Sequence, residues 1–262
     1  MFKNTPAIII VAFLAICPSA LGQNSDGTYF KVCVIQDKSG SSANFGTPQI
    51  KEGDFYPLFD AQLKVGGEIA FGMLDDSSNW PLKRFYVSPV PPLPVEEHAF
   101  SNRAKVEARK KYNRDLIAWK TKREKRHQRF QLDRDLFLNE IADDLSRGVD
   151  ATSSDVIGAL VRCHRFLAEM DADLTGADYI PFILFISDVE QALSSMFRQQ
   201  NPDRDYAMPA PGALPYAKNI YVVNGRLHKG SLAQAGFRVK AFEGIASAIR
   251  TIVSISTSEE VR

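Results

Sequence analysis

The chain is poor in the residues that usually build zinc sites. Its 262 residues include only three cysteines and four histidines. The cysteines do not show the C-x-x-C spacing of a metal site. The histidines, which are His98, His127, His164 and His228, do not pair at metal-ligand spacing either. These absences argue against a site built from thiolate or imidazole ligands.

Common catalytic motifs are also missing. The sequence has no G-x-S-x-G nucleophile elbow and no G-x-x-x-x-G-K phosphate loop. Asp37 does not begin the D-x-D pair of an aspartyl-phosphate enzyme, because Ser39 stands at the second place. We therefore predict that the protein is not an enzyme. A metal-dependent phosphoryl or acyl hydrolase is the alternative.

The charge is nearly balanced, with a formal net charge of +1 at pH 7. No global field then favours nucleic acid, and we expect no nucleic-acid partner. Hydrophobic residues make up 45% and charged residues 24% of the chain, as in ordinary globular proteins. The length fits one large domain or two small ones.

Residues 1–22 have the pattern of a signal peptide. Lys3 precedes an apolar core at 7–16, and Ala20-Leu21-Gly22 forms a small-x-small cleavage site. This predicts a secreted or periplasmic protein whose mature domain spans 23–262. Lipid modification of Cys17 is the second interpretation, because the bulky Ile16 precedes that cysteine where lipoprotein sites carry a small residue.

Two cysteines, Cys33 and Cys163, remain after cleavage. An oxidising compartment permits a bridge between them. Because Cys33 falls in a buried strand and Cys163 in an amphipathic helix, two buried free thiols are the state that we favour.

Hydrophobic patterning predicts an α/β fold. Apolar runs predict strands at 32–35, 68–74, 82–87, 179–187 and 219–223, the third of them an antiparallel edge strand. Helical spacing predicts helices at 97–147, 156–170 and 237–252, and residues 55–65 form a short helix or loop. This alternation predicts a Rossmann-like, mostly parallel central sheet flanked by helices on both faces.

The segment 97–147 is a long basic insertion. It has no glycine or proline between Ala99 and Arg147, which predicts one long helix or a helical hairpin whose second half docks on the sheet. Its first half is crowded with lysine and arginine, and the candidates for accessory binding are Lys122, Arg123, Lys125 and Arg126. These could contact an acidic polymer or an envelope surface, although a solvated helix face is the interpretation that we prefer.

Polar side chains follow the first buried strand at alternate positions, namely Asp37, Ser39 and Ser41. In open α/β sheets, ligands sit just outside the carboxyl ends of the strands. A carboxylate and two hydroxyls are hard ligands, so the implied guest is Mg²⁺ or another hard cation such as Mn²⁺ or Ca²⁺. The alternative is a strand-to-helix turn in which Asp37 or Ser39 merely caps a helix.

Three segments together carry a family resemblance. Asp37-Lys38-Ser39-Gly40-Ser41 resembles the Asp-x-Ser-x-Ser motif of the metal-ion-dependent adhesion site in von Willebrand factor type A (VWA) domains. Residues 154–160 are similar to that family's Thr-Asp-Ile-Gly-Ala-Ala-Leu segment, with Ser154 at the Thr position. Thr152 takes that position if the loop is two residues longer. Residues 185–188 resemble the family's strand ending in Thr-Asp-Gly, with Asp188 at the Asp position and Val189 in place of the glycine.

The resemblance implies a VWA-like domain over 23–262 that binds proteins through a metal ion. It implies a metal site whose ligands are Asp37, Ser39, Ser41, Ser154 and Asp188. A carboxylate from a partner protein would complete the ion's coordination. A structural VWA scaffold without bound metal is a further alternative.

Overall fold

The computed structural model describes residues 29–44, 46–74, 81–148, 154–169, 179–191, 207–227 and 229–257. The predicted signal peptide and Thr152 lie outside them. The strands are β1 (Tyr29–Asp37), β2 (Gly67–Leu74), β3 (Lys83–Val87), β4 (Tyr179–Ile186), β5 (Ile220–Val223) and β6 (Val239–Phe242). The helices are α1 (Gly40–Asn44), α2 (Glu52–Val65), α3 (Asn102–Ser146), α4 (Val156–Ala168), α5 (Gly230–Gln234) and α6 (Ile245–Thr257).

The strands form one six-stranded sheet in the order β3-β2-β1-β4-β5-β6. All neighbours pair in parallel except β2 and the edge strand β3. The predicted α/β fold, its mostly parallel sheet and its antiparallel edge strand are therefore confirmed.

Helices cover both faces of the sheet because its central strands are apolar on both sides. In β1, Val32 and Val34 face a layer that contains α2, α6 and the second half of α3. Cys33 and Ile35 face the other layer, which contains α4 and α5. Successive side chains of a strand point to opposite faces, so an uninterrupted apolar run supplies both cores.

The predicted long insertion is a single helix, α3, of 45 residues rather than a hairpin. Only its second half is anchored in the core, through the buried side chains of Phe130, Phe137 and Ile141. No side chain of residues 102–125, all of which are described, is buried. Among the described helices, none is both long and apolar enough to cross a bilayer.

The prediction of one helix over 237–252 is wrong. Residues Val239–Phe242 instead form β6, which pairs with β5, and the helix α6 begins only at Ile245. A strand as short as β6 is stabilised by hydrogen bonding to a neighbouring strand, here β5. The hydrophobic periodicity of its own sequence does not reveal that neighbour.

The expectation of two free thiols is also wrong. Cys33 of β1 and Cys163 of α4 form a disulfide with an S–S distance of 2.08 Å. Both side chains are fully buried in the same layer. The register between a strand and a helix 130 residues away decides this contact.

A buried lysine ties β1 to the end of α4. Lys31 Nζ lies 3.1 Å from Glu68 Oε2 and donates to the carbonyl oxygens of Phe166 at 3.0 Å and Glu169 at 2.7 Å. The ammonium also lies over the Phe166 ring. It therefore neutralises a buried carboxylate and adds hydrogen bonds to two carbonyls at the carboxyl end of the helix, where cations are favourable.

We predict that Lys31→Met lowers the free energy of unfolding by about 3–5 kcal/mol, because it removes the ammonium group that faces the buried Glu68 carboxylate. Urea unfolding measures this. Lys83→Met is the matched control, since Lys83 and Asp144 form a more exposed pair at 2.6 Å; it should cost about 1 kcal/mol or less. Lys31→Met/Glu68→Gln should recover part of the loss, and equal losses in both single lysine variants would contradict this role.

Candidate metal centre

The predicted site residues lie where the strand order reverses. The strands β2 and β3 follow β1 on one side of it, whereas β4, β5 and β6 continue the sheet on the other side. Such a reversal opens a crevice at the carboxyl ends of the two central strands. Gln36 pairs with Ile186, so Asp37 and the residues that follow Ile186 reach the same edge of the sheet.

Asp37 is the centre of the hydrogen-bond network at this edge. Its Oδ1 accepts from the backbone N–H of Ser39 at 2.7 Å. Its Oδ2 accepts from Ser187 Oγ at 2.6 Å and, over a longer 3.5 Å contact, from Ser154 Oγ. These contacts draw together residues from three separate segments of the chain.

Burial raises the pKa of the Asp37 carboxyl above its ordinary value, and the nearby negative charge of Asp188 acts in the same direction. The hydrogen bonds from Ser187 and Ser39 oppose this increase. The folded protein therefore holds an acid whose charge is costly at this position. A cation would relieve that cost.

The two serines of the first motif lie side by side. Ser39 Oγ and Ser41 Oγ are 3.1 Å apart. Ser39 Oγ also accepts from the backbone N–H of Ser42 at 3.3 Å, and so caps the short helix α1. The capping role proposed as an alternative for Ser39 is thus present, together with a cluster of hydroxyls next to Asp37.

Ser154 reaches the site from the loop before α4. It is fully buried, and its hydroxyl faces Asp37 as described above. The next residue, Asp155, caps α4 by accepting from the backbone N–H of Gly158 at 3.0 Å. This cap fixes the start of the helix and with it the position of Ser154. Thr152, the alternative ligand, lies outside the described residues.

The two carboxylate oxygens of Asp188 differ in their hydrogen bonding. Its Oδ1 accepts from the backbone N–H of Glu190 at 3.1 Å. Its Oδ2 is buried and has no hydrogen-bond partner among the described residues. A buried carboxylate oxygen without a partner is costly, and native proteins rarely keep one without a reason. A hard cation at this point would supply the missing partner.

Sequence reasoning missed the part played by Ser187. Its hydroxyl donates to Asp37 and accepts from the backbone N–H of Val189 at 2.8 Å, so it fixes both the carboxylate and the loop after β4. The Asn224 side chain in turn donates to the Ser187 carbonyl at 3.1 Å. The available signal was the position of Ser187 at the end of β4, level with Asp37 across the sheet.

The donors fit a hard cation. Two carboxylates and three hydroxyls are oxygen ligands of the kind that Mg²⁺ prefers. Among the described residues, no group of three or more His, Cys, Asp and Glu side chains could hold a metal ion. Any metal bound here would therefore depend on serine hydroxyls as much as on carboxylates.

The candidate accessory residues lie away from this edge. Arg126 is half-buried. It donates to the carbonyls of Leu63 and Gln62 at the end of α2, and to the Ser88 carbonyl just after β3. Desolvation lowers the pKa of its guanidinium from the usual value. Arg123 lies over the Trp119 ring. Lys122 and Lys125 are exposed. Arg126 thus has a structural role.

Comparison with known proteins gives no assignment, because neither a protein-family model nor a curated protein matches the chain.

We predict that Ser187→Ala, in the presence of a chelator, lowers the free energy of unfolding by about 1.5–3 kcal/mol at neutral pH, since it removes a hydrogen bond to a buried carboxylate. The Ser187 hydroxyl lowers the Asp37 pKa in the folded state only. Its contribution is therefore present when Asp37 is ionised and is lost as the pH falls through the Asp37 pKa. Urea unfolding at neutral and acidic pH measures the difference.

Ser41→Ala is the matched control. The Ser41 hydroxyl contacts the neutral Ser39 hydroxyl, so its removal should cost less and show no such pH dependence. A cost for Ser187→Ala that is the same at both pH values would contradict the assigned role.

Proposed function

We propose that the protein is an exported, metal-dependent binding module of the VWA type, which engages a carboxylate of a partner protein through a divalent cation. Asp37, Ser39, Ser41, Ser154 and Asp188 would hold the ion, and Mg²⁺ is the first candidate, with Mn²⁺ and Ca²⁺ as alternatives. Bound there, the ion would supply an electrophilic centre that a partner carboxylate can ligate.

The observation that carries this proposal is Asp188 Oδ2, which has no hydrogen-bond partner in the part of the chain that the structure describes. It is buried at the switch point of the sheet, beside an Asp37 whose pKa burial raises. The negative charge of Asp188 disfavours the ionised form of Asp37, and a cation between the two carboxylates would offset that repulsion. The adjacent hydroxyls of Ser39 and Ser41 supply neutral oxygen ligands rather than further charge.

The loop after β4 gives a second, independent support. Val189 has a φ of 51°, in the left-handed region that favours glycine. The resembling family has glycine at this position. Val189 thus follows the glycine-like backbone path at some conformational cost, as residues near functional sites often do.

Export is part of the proposal. It rests on the signal-peptide pattern of residues 1–22 and on the Cys33–Cys163 disulfide, because disulfides persist mainly in oxidising compartments. N-terminal sequencing of the protein from its host should place the first residue at Gln23. A chain that still begins at Met1 would contradict export by this route, and a lipid-modified Cys17 would support lipoprotein anchoring instead.

We predict that one Mg²⁺ or Mn²⁺ binds per chain and raises the melting temperature. At an ion concentration of about 100 times Kd, binding adds roughly 2.7 kcal/mol to stability. Asp37→Asn should abolish this increase. In chelator, Asp37→Asn should be at least as stable as the unaltered protein, because it removes a charge whose burial is unfavourable. Calorimetric titration and thermal unfolding measure the two effects.

Asp60→Asn is the matched control, since Asp60 is an exposed aspartate on α2; its response to the ion should be unchanged. Asp188→Asn should behave like Asp37→Asn. Undiminished binding by both site variants would exclude this site. Paired variants then identify the hydroxyl ligand: Ser154→Ala should weaken ion binding more than Thr152→Ala, and the reverse result would show that the loop register is wrong.

We expect chelator to abolish capture of the partner from envelope extracts, and Asp188→Asn to have the same effect. Capture that survives both would refute the metal-bridged contact. Turnover of generic ester or phosphate substrates, lost in Asp37→Asn, would instead favour a metal-dependent hydrolase.

A further inference from the structure

The first half of α3 extends beyond the sheet at the edge opposite the candidate metal centre. The last residues of α3 lie near that centre, because Lys38 Nζ donates to the Arg147 carbonyl at 2.7 Å. Arg126 instead contacts the last turn of α2, just before β2 begins at Gly67. Residues 102–125, which we term the arm, continue from there for about 36 Å at the rise of an α-helix.

An extended proline-rich segment, residues 88–99, braces the arm. We term it the strap. Trp119 Nε1 donates to the Pro91 carbonyl at 2.9 Å, and Arg126 Nε donates to the Ser88 carbonyl at 2.8 Å. Farther out, Arg109 pairs with Glu96 and Lys111 pairs with Glu97. The strap therefore runs antiparallel to the arm along most of its length. An extended proline-rich chain is stiff, so the pair forms a semi-rigid projection.

The far end of this projection combines exposed apolar side chains with cations. Phe100 is fully exposed and Val106 is 54% exposed. Arg103 and Lys105 are exposed in the first turns of the helix. Ser101 caps that helix by accepting from the Ala104 N–H at 3.2 Å, so the end is folded rather than frayed. We term residues 100–106 the tip.

We propose that the tip docks on a membrane surface that contains anionic lipids. Phe100 would enter the boundary between headgroups and acyl chains, while Arg103 and Lys105 bind the lipid phosphates. An aromatic side chain flanked by cations at a projecting end fits such an interface. The contact is superficial, and the helix lies outside the bilayer.

The shape and composition of the tip favour a membrane over an acidic polymer. Cations spread along the arm would suffice for a polymer, which gives no reason to expose Phe100 at the end of the projection. The two acids of the strap nearest the tip, Glu96 and Glu97, are paired with arm cations. Their charges therefore oppose an anionic surface less than unpaired acids would.

Vesicle sedimentation tests the proposal. The protein used is the full chain as purified from its host, after any processing of its N-terminus. We expect binding to vesicles in which about a third of the phosphatidylcholine is replaced by phosphatidylglycerol, and much weaker binding to phosphatidylcholine alone. Phe100→Ser should weaken binding by roughly tenfold or more, from the lost burial of one aromatic side chain. Arg103→Gln/Lys105→Gln should weaken it by roughly fivefold per cation, an effect that raised salt reproduces.

Matched variants on the body of the protein control for general surface effects. Tyr56 is an exposed aromatic residue on α2 and is 46% exposed; Tyr56→Ser should leave vesicle binding unchanged. Lys64→Gln/Arg250→Gln removes two exposed cations elsewhere and should have little effect. Phe100→Trp adds a direct readout, because its added fluorescence should shift to shorter wavelength with anionic vesicles only.

Each outcome is decisive. Absence of vesicle binding, or equal binding by the tip variants and their controls, overturns the proposal. If Phe100→Ser binds normally and soluble polyglutamate competes for the arm, an acidic polymer is the ligand instead. Chelator should leave vesicle binding intact, so failure of the tip and failure of the metal centre remain distinguishable.

Discussion

The parallel pairing of β1 with β4 is the contact on which the rest of the site depends. It places Asp37 beside Ser187 at the edge where the strand order reverses, and the Ser187 hydroxyl then holds one oxygen of the Asp37 carboxylate at 2.6 Å. The same pairing places Asp188 just beyond the end of β4, close to Asp37. A slip of one residue would turn every side chain of the strand to the other face, so the two apolar cores of the sheet also fix the register of the polar site.

The fold was largely predictable from the sequence because its central strands are buried on both faces. Such strands read as uninterrupted apolar runs, and the ends of those runs indicated the edge at which Asp37 and Asp188 stand. Two features were not predictable. β6 depends on its pairing with β5, and the Cys33–Cys163 disulfide joins residues 130 positions apart in the chain. The hydrophobic spacing of 237–252 fits a helix equally well, and only the open edge of β5 decides between the two.

Within the candidate site, sequence patterns identified the residues but not the hydrogen bonds that each of them makes. Asp37, Ser39, Ser154 and Asp188 were all expected, and the structure joins the first three through hydrogen bonds. Ser187 escaped notice because a hydroxyl at the end of a strand is common and carries no spacing signature. Its role is to donate a hydrogen bond to the buried Asp37 carboxylate, and only the folded structure shows which donors reach that carboxylate.

The two proposed contacts lie at opposite ends of the molecule, and their physics differs. At the carboxyl ends of the central strands, buried charges are little screened by salt, so a cation held there would be sensitive to the position of each ligand atom. At the tip, exposed cations act through a field that salt screens over roughly 8 Å. A contact through exposed cations is reversible and tolerant of position, whereas a contact through a metal ion would be specific.

The continuous helix α3 would set the distance between the two proposed contacts. Because α3 is anchored in the core by Phe130 and Phe137, an attachment at its tip would hold the candidate metal centre away from the lipid surface and turned toward a partner. Such a separation between the two proposed contacts would account for the length of α3.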